Sequence, residues 1–424
     1  ARGRRMMRRR LGALVVVVAL AGACSSAPEP VAPEALEVFG SYVGADAVAF
    51  TESLRSFTAE TGIAAYYVGT SGFAEEFAGR IDRDDLPDVV LLPQPGFLPD
   101  LVAAGAVAPL PGDVVERLRG GTQLESGIGV VDGEVVGVWF RGLVKSLVWY
   151  HLPTFTERGW EVPTTTAELD ALVARASDAG IVPWCLTAGA FASTGWVLSD
   201  WFEELLLRES TEAYDAVVAL DSFDQPAVVA ALTELRDLVR TPGSVAGGPR
   251  RALSELVEDA QAPMFGDPPG CLLHRQSAVN ETWLPAGVRV GVDTDVFALP
   301  GPTAAAPLLV GGELAVALSD ADEVAPLMRW LADPAALTPF EGTGGFLSPL
   351  GDLGAGGDDL ERRQLDLLAE AGVVRFDASD LLPPELGTTL LWQALVDLAG
   401  GRASVAQVVD RLEAARLDWL AERP

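Results

Sequence analysis

Lysine occurs once in this chain of 424 residues, at Lys145, and histidine twice, at His151 and His274. Two histidines are too few for a histidine-rich metal site. Positive charge as a whole is scarce: 30 basic residues stand against 60 acidic ones, a formal net charge of −30. Neutralising a phosphate backbone takes dense Lys and Arg, so a nucleic-acid partner is excluded. The three cysteines, Cys24, Cys185 and Cys271, are too few for a disulfide-stapled mini-domain. Long apolar runs are short as well. Residues 11–20 form the one pure stretch, and ten residues fall short of the roughly 20 that span a bilayer. What is present in quantity is core material. The hydrophobic fraction of 49% excludes a disordered chain, and the length suits two or three domains.

The few basic residues are unevenly placed. Arg2, Arg4, Arg5, Arg8, Arg9 and Arg10 precede the apolar run, and Ala21-Gly22-Ala23 follows it. That order describes a secretory signal. Small residues before Cys24, then Ser25-Ser26 and a proline-rich stretch, resemble a bacterial lipobox. The resemblance implies removal of residues 1–23 and lipidation of Cys24, which anchors an extracytoplasmic body to the outer face of the cell membrane. Residues 24–33 then form a flexible, extended tether. The body left behind carries −36, because six arginines leave and no acid does. In an oxidising compartment Cys185 and Cys271 invite a disulfide, with two buried free thiols as the alternative.

From Leu36 onward, short apolar strands alternate with amphipathic helices. Strands are expected at 36–39, 64–68 and 89–92, with helices at 46–60, 74–81 and 98–104. This rhythm means a parallel or mostly parallel α/β sheet, with ligands at the carboxyl ends of its strands. Those ends are Gly40-Ser41, Gly69-Thr70-Ser71 and Pro93-Gln94. A second region begins near Lys145. It has strands at 146–150 and 181–184, a helix at 165–179 capped by Thr166, and further helices at 196–208, 227–239 and 252–260. Residues 288–299 read as strand again, and 360–420 as mainly helical.

Six of the ten tryptophans fall between residues 139 and 201. In Gly195-Trp196-Val197-Leu198-Ser199-Asp200-Trp201-Phe202-Glu203-Glu204 they stand beside carboxylates. A sugar ring has apolar C–H faces and a rim of hydroxyls, so its site wants flat aromatic platforms next to acids and amides. Burial in a core is the competing reading for each Trp. Asp200, Glu203 and Glu204 also offer the paired carboxylates of a glycoside hydrolase, though acids are so abundant that one close pair is weak evidence. Neither a Gly-x-Ser-x-Gly elbow nor a Gly-Lys-Ser/Thr phosphate loop occurs.

Ordered pieces along the chain resemble the extracellular solute-binding proteins of ABC importers. They include Leu86-Pro87-Asp88-Val89-Val90-Leu91-Leu92-Pro93-Gln94 and, from the alpha-glucoside-type branch, Lys145-Ser146-Leu147-Val148-Trp149-Tyr150 and Pro183-Trp184-Cys185. Thr194-Gly195-Trp196, Gly270-Cys271-Leu272-Leu273-His274-Arg275-Gln276, Gly311-Gly312-Glu313-Leu314, Gly344-Gly345-Phe346 and Arg375-Phe376-Asp377-Ala378-Ser379-Asp380 follow in the same order. The resemblance implies an α/β, two-lobed periplasmic-binding-protein-like fold of type II that closes about a hinge. Lobe 1 is expected at 31–145 plus 291–345 and lobe 2 at 146–290 plus 346–424. A monomer that binds a carbohydrate and delivers it to permease subunits is implied, with no catalysis, cofactor or metal. Trp184, Trp196 and Trp201 would stack on sugar rings. Ser41, Gln94, Asp200, Glu203 and Glu313 would bond hydroxyls, and Lys145, Gln276, Phe346 and Asp377 complete the expected ligand set. An anchored glycoside hydrolase and a receptor for a polyamine or cation are the alternatives.

Overall fold

The computed structural model describes residues 35–119, 127–303, 305–340, 346–349 and 359–423; the leader, Cys24 and the tether lie outside the described residues. Strands in chain order are β1 (Leu36–Gly40), β2 (Ala65–Gly69), β3 (Val89–Leu92), the short pair β4 (Val130–Val131) and β5 (Glu134–Val135), then β6 (Val138–Val144) and β7 (Leu147–His151). β8 (Leu273–Arg275), β9 (Thr294–Ala298), β10 (Pro307–Ala317) and β11 (Val373–Phe376) follow. β1 lies between β2 and β3, parallel to both, with the helices Gly44–Thr61 and Phe73–Asp82 as crossovers. All four residues of β3 are buried, as a strand covered on both faces requires.

β10 organises the larger sheet. Its C-terminal half pairs antiparallel with β3 and its N-terminal half parallel with β11, while β6 runs antiparallel along its other edge. A second sheet has the order β8-β7-β9, all antiparallel. The architecture is two-lobed α/β, with apolar cores on the faces of the large sheet and another among the helices around the small one. Strand pairing differs from the expected lobe boundaries at two places. β9, expected with lobe 1, pairs along five residues with β7, and β11, expected with lobe 2, pairs along four with β10. The chain therefore passes between the sheets at 144–147 and 298–307, and leaves the large sheet for the helical core at 376–378.

Local differences have local causes. The helix Thr166–Asp178 is capped by Thr165, not Thr166, because a capping box forms with Glu168. The strand expected at 181–184 shrinks to isolated bridges from Trp184 to Val245 and Leu273. The helix expected at 252–260 stops at Ser254, where the chain turns to bridge Gly189 with Leu256. Cys185 and Cys271 are bonded, with Cα atoms 5.4 Å apart, and are buried beside Met264.

Candidate functional site

The site grows from the middle of β10, where Gly311 and Gly312 leave two kinds of room. A Cβ on Gly311 would sit 2.7 Å from Lys145 Cε, so the bare backbone lets the lysine lie across the strand. Gly312 has φ 144° and its Cβ would stand 1.8 Å from the Arg141 carbonyl oxygen, a position only glycine fills. Directly after it, the β6–β10 register shifts between Glu313 and Leu314, which sets Glu313 beside Arg141.

Two ionic clusters result. Arg141 donates from Nε and Nη2 to both oxygens of Glu313 at 2.8 and 2.9 Å, and from Nη1 to Asp46 at 2.9 Å. Tyr42 donates its hydroxyl to Glu313 at 3.0 Å, and its ring carries the Arg141 guanidinium 4.3 Å from the centroid. Burial opposes the charge on Arg141, but Glu313, Tyr42 and Asp46 outweigh it and raise its pKa well above the ordinary value.

Lys145 centres the second cluster. Its Nζ lies 2.6 Å from Asp377 and 3.3 Å from both Asp200 and Asp380. Arg275 backs it from below, bonded to Asp200 at 3.1 Å and Glu204 at 3.2 Å. Burial opposes the ammonium of Lys145, and the three carboxylates together overcome it, so its pKa is raised. Burial also drives the acids upward. Asp380, next to Asp377, is pushed up to about 8, and Asp200 to about 6 despite Lys145 and Arg275. Asp377 goes the other way. Burial is outweighed there by Lys145 and by bonds from Ser379 and the Asp380 N–H, which hold it at about 2.

Between the clusters lies a cavity of about 630 Å³, within the usual range of a small-molecule site. Ser41, Gln94, Lys145, Trp196, Asp200 and Glu313 line it. The other expected ligand residues do not. Trp184 and Trp201 pack edge to face, centroids 5.1 Å apart, inside the helical core, so neither ring face is open to a sugar. Glu203 is buried and accepts the backbone N–H groups of Ala378 and Ser379 at 2.7 and 3.0 Å, satisfying the start of the helical turn Ala378–Leu381. Burial, reinforced by Asp377 and Asp200, raises its pKa well above the carboxylate range. Gln276 is fully buried and bonds the Ser277 N–H through its own carbonyl. Phe346 packs on Phe340, centroids 5.3 Å apart, and Asp377 serves the cavity through Lys145 rather than by lining it.

The cavity also holds residues that sequence reasoning passed over: Tyr42, Asp46, Arg141, Trp283 and Asp380. Asp380 ends the motif Arg375-Phe376-Asp377-Ala378-Ser379-Asp380, so a signal existed. Arg141 and Glu313 lie 172 positions apart, and no local pattern links them. Phe191 is another such residue, 78% exposed on the cavity rim at a positive φ of 50°. The cavity thus combines aromatic faces with cations and carboxylates that, Glu258 apart, are already paired, and so offers lone pairs and N–H groups.

Residues 40–337 match the model of the bacterial extracellular solute-binding protein family. The chain is similar to the osmoprotective compounds-binding protein of Synechocystis sp., 36% identical over 385 residues that cover 89% of this chain and 91% of that protein. It is also similar to the alpha-glucosides-binding periplasmic protein of Rhizobium meliloti, 31% identical over 389 residues, 88% of this chain and 84% of that one. Among solved structures its fold resembles a chitin oligosaccharide binding protein, with a TM-score of 0.78 at 16% identity over 91% of this chain and 98% of that one.

Proposed function

From the premise that the chain belongs to the bacterial extracellular solute-binding proteins, we propose that it captures a neutral glucoside-type carbohydrate in the cavity between its sheets and delivers it to the permease of an ABC importer. The observation that carries this reading is the pairing state of the cavity. Four of the five carboxylates that line the cavity already have a cation: Glu313 and Asp46 have Arg141, and Asp200 and Asp380 have Lys145, while the exposed Glu258 is the fifth. Such groups bond hydroxyls strongly without demanding a charged ligand. To pair with any of those four, a polyamine or cation would have to displace Lys145 or Arg141 from partners at 2.6–3.3 Å. Trp196 and Trp283 add apolar surface for ring faces.

Hydrolysis is the weaker reading. Asp200 and Asp380 have the raised pKa values of acid catalysts, but both bond the same ammonium, which occupies the space between them. The names of both relatives describe binding and no reaction, and alpha-glucosides and osmoprotective compounds are the classes they suggest. Attachment of the body to the membrane through lipidated Cys24 belongs to the same proposal, and Cys24→Ala should abolish incorporation of a labelled fatty acid.

Calorimetric titration with maltose, sucrose, trehalose, glycine betaine and spermidine tests the ligand class. A disaccharide should bind with release or uptake of heat and raise the melting temperature. Binding of spermidine or betaine with no response to any sugar overturns it.

A further inference from the structure

The cleft continues beyond the cavity. Ser193 Oγ donates to the Ser71 carbonyl at 2.9 Å, and past this contact a second chamber of about 1230 Å³ opens. Ala74, Ser193 and Trp392 line both chambers, so the two share a wall. One side of the second chamber is the helix Phe73–Asp82, which brings Glu75, Glu76 and Asp82. The facing side is a π turn, Glu385–Leu391, which brings Thr388 and Thr389. π turns are rare and recur at functional sites.

Trp392, the first residue after that turn, is only 6% exposed, and its Nε1 donor has no partner among the described residues. A buried N–H without an acceptor is unfavourable, and most such groups in native proteins are satisfied by something. Here the unsatisfied donor belongs to the partition between two chambers. Phe97 supplies a second apolar surface in the larger one. The same mixture of aromatic faces, carboxylates and hydroxyls found in the first chamber is thus repeated in the second at about twice the volume.

We propose that the second chamber is an extension subsite for further sugar units, and that the physiological ligand is an oligosaccharide longer than a disaccharide. This rests on the carbohydrate reading above. Terminal units fill the first chamber and the following units cross the partition. A ligand hydroxyl replaces Ser193 as the donor to Ser71, and a ligand oxygen accepts from Trp392 Nε1. Carboxylates of the helix Phe73–Asp82 accept from hydroxyls beyond.

The test is titration of the whole chain and of Thr389→Trp with maltose, maltotriose, maltotetraose and maltopentaose. Thr389 is exposed on the chamber side of the π turn, so the indole fills the second chamber without entering the core. Affinity of the parent chain should rise at least tenfold from the disaccharide to the longest sugar. Thr389→Trp should lose that gain, and a maltose-induced rise in its melting temperature shows that it is folded. Equal affinity along the series, or a gain that survives in Thr389→Trp, overturns the proposal. Failure of every sugar, those of the disaccharide titration above included, to bind the parent chain sinks the carbohydrate reading and this one with it. Spermidine binding that weakens in Thr389→Trp replaces it with a polycation site, the outcome the acids of this chamber make the relevant competitor.

Discussion

Lys145 Nζ lies 2.6 Å from Asp377 Oδ2, and this contact joins the crossing between the sheets at 144–147 to the point where the chain leaves β11 for the helical core. Val144 and Phe376 pair with the same residue of β10, Val310, from its two sides. The residues that follow them are therefore brought together across one strand. A single bond thus links the end of β11 to a residue of the crossing that lines the cavity.

Lys145→Met should be strongly destabilising. It removes the cation from three buried carboxylates while keeping the length of the side chain. Breaking one side of a buried ionic cluster typically costs about 3–5 kcal/mol. Chemical denaturation should show a lower midpoint at unchanged slope. A variant of unaltered stability would mean that the acids take up protons without loss.

Gly311→Ala should act through the same lysine. The added methyl group meets Lys145 Cε at 2.7 Å, so the side chain must leave its path to Asp377. A loss of about 1–3 kcal/mol together with weakened ligand binding is expected. Gly312→Ala should be worse, since the clash there is with backbone at 1.8 Å. Thermal unfolding of the two variants side by side checks the order.

The pH dependence of stability should carry the mark of Asp380. Burial and the neighbouring Asp377 push its carboxyl up to about 8, against about 3.9 in an unfolded chain. A folded acid that holds its proton more tightly contributes fully below the unfolded value and loses that contribution as pH rises to the folded one. Asp380→Asn cannot ionise, so relative to the parent chain it should gain at least about 2 kcal/mol between pH 4 and pH 8. At roughly 1 °C per kcal/mol for a body of this size, the difference in melting temperature should grow by about 2 °C or more over that window. A difference that stays flat with pH would show that Asp380 ionises in the ordinary range.

Two tryptophans five positions apart should behave oppositely. Trp201→Ala empties part of a packed core and should cost about 3–5 kcal/mol of stability. Trp196→Ala removes a cavity wall and should weaken sugar binding by roughly five- to tenfold, about 1 kcal/mol, with a much smaller effect on unfolding. Loss of binding in a folded Trp201→Ala with no effect in Trp196→Ala would reverse their assignment.

The periodicity of the first hundred residues was enough to read β1, β2 and β3 with their crossovers, because each buries a contiguous stretch against its immediate neighbours. The later strands were less legible. β9 and β11 are short, and which sheet each joins depends on pairing with β7 and β10, more than sixty residues away in both cases. The site divided in the same way. The Gly311-Gly312-Glu313 motif and the Trp196–Glu203 segment were visible, but one helix presents side chains to several surroundings at once. Trp196 and Asp200 meet the cavity, whereas Trp201 enters the core and Glu203 caps the turn at Ala378.

By itself the sequence determined the class of this protein: a strongly acidic chain, alternating strands and helices, and motifs in the order of a two-lobed solute-binding protein. These are properties of composition, period and order, which need no partner in space to be read. Only the tertiary structure decided which polar residues face the ligand space and which are consumed inside. A carboxylate's role depends on what reaches it. Lys145 reaches three acids 55 to 235 positions away only because Gly311 leaves β10 bare for it to cross.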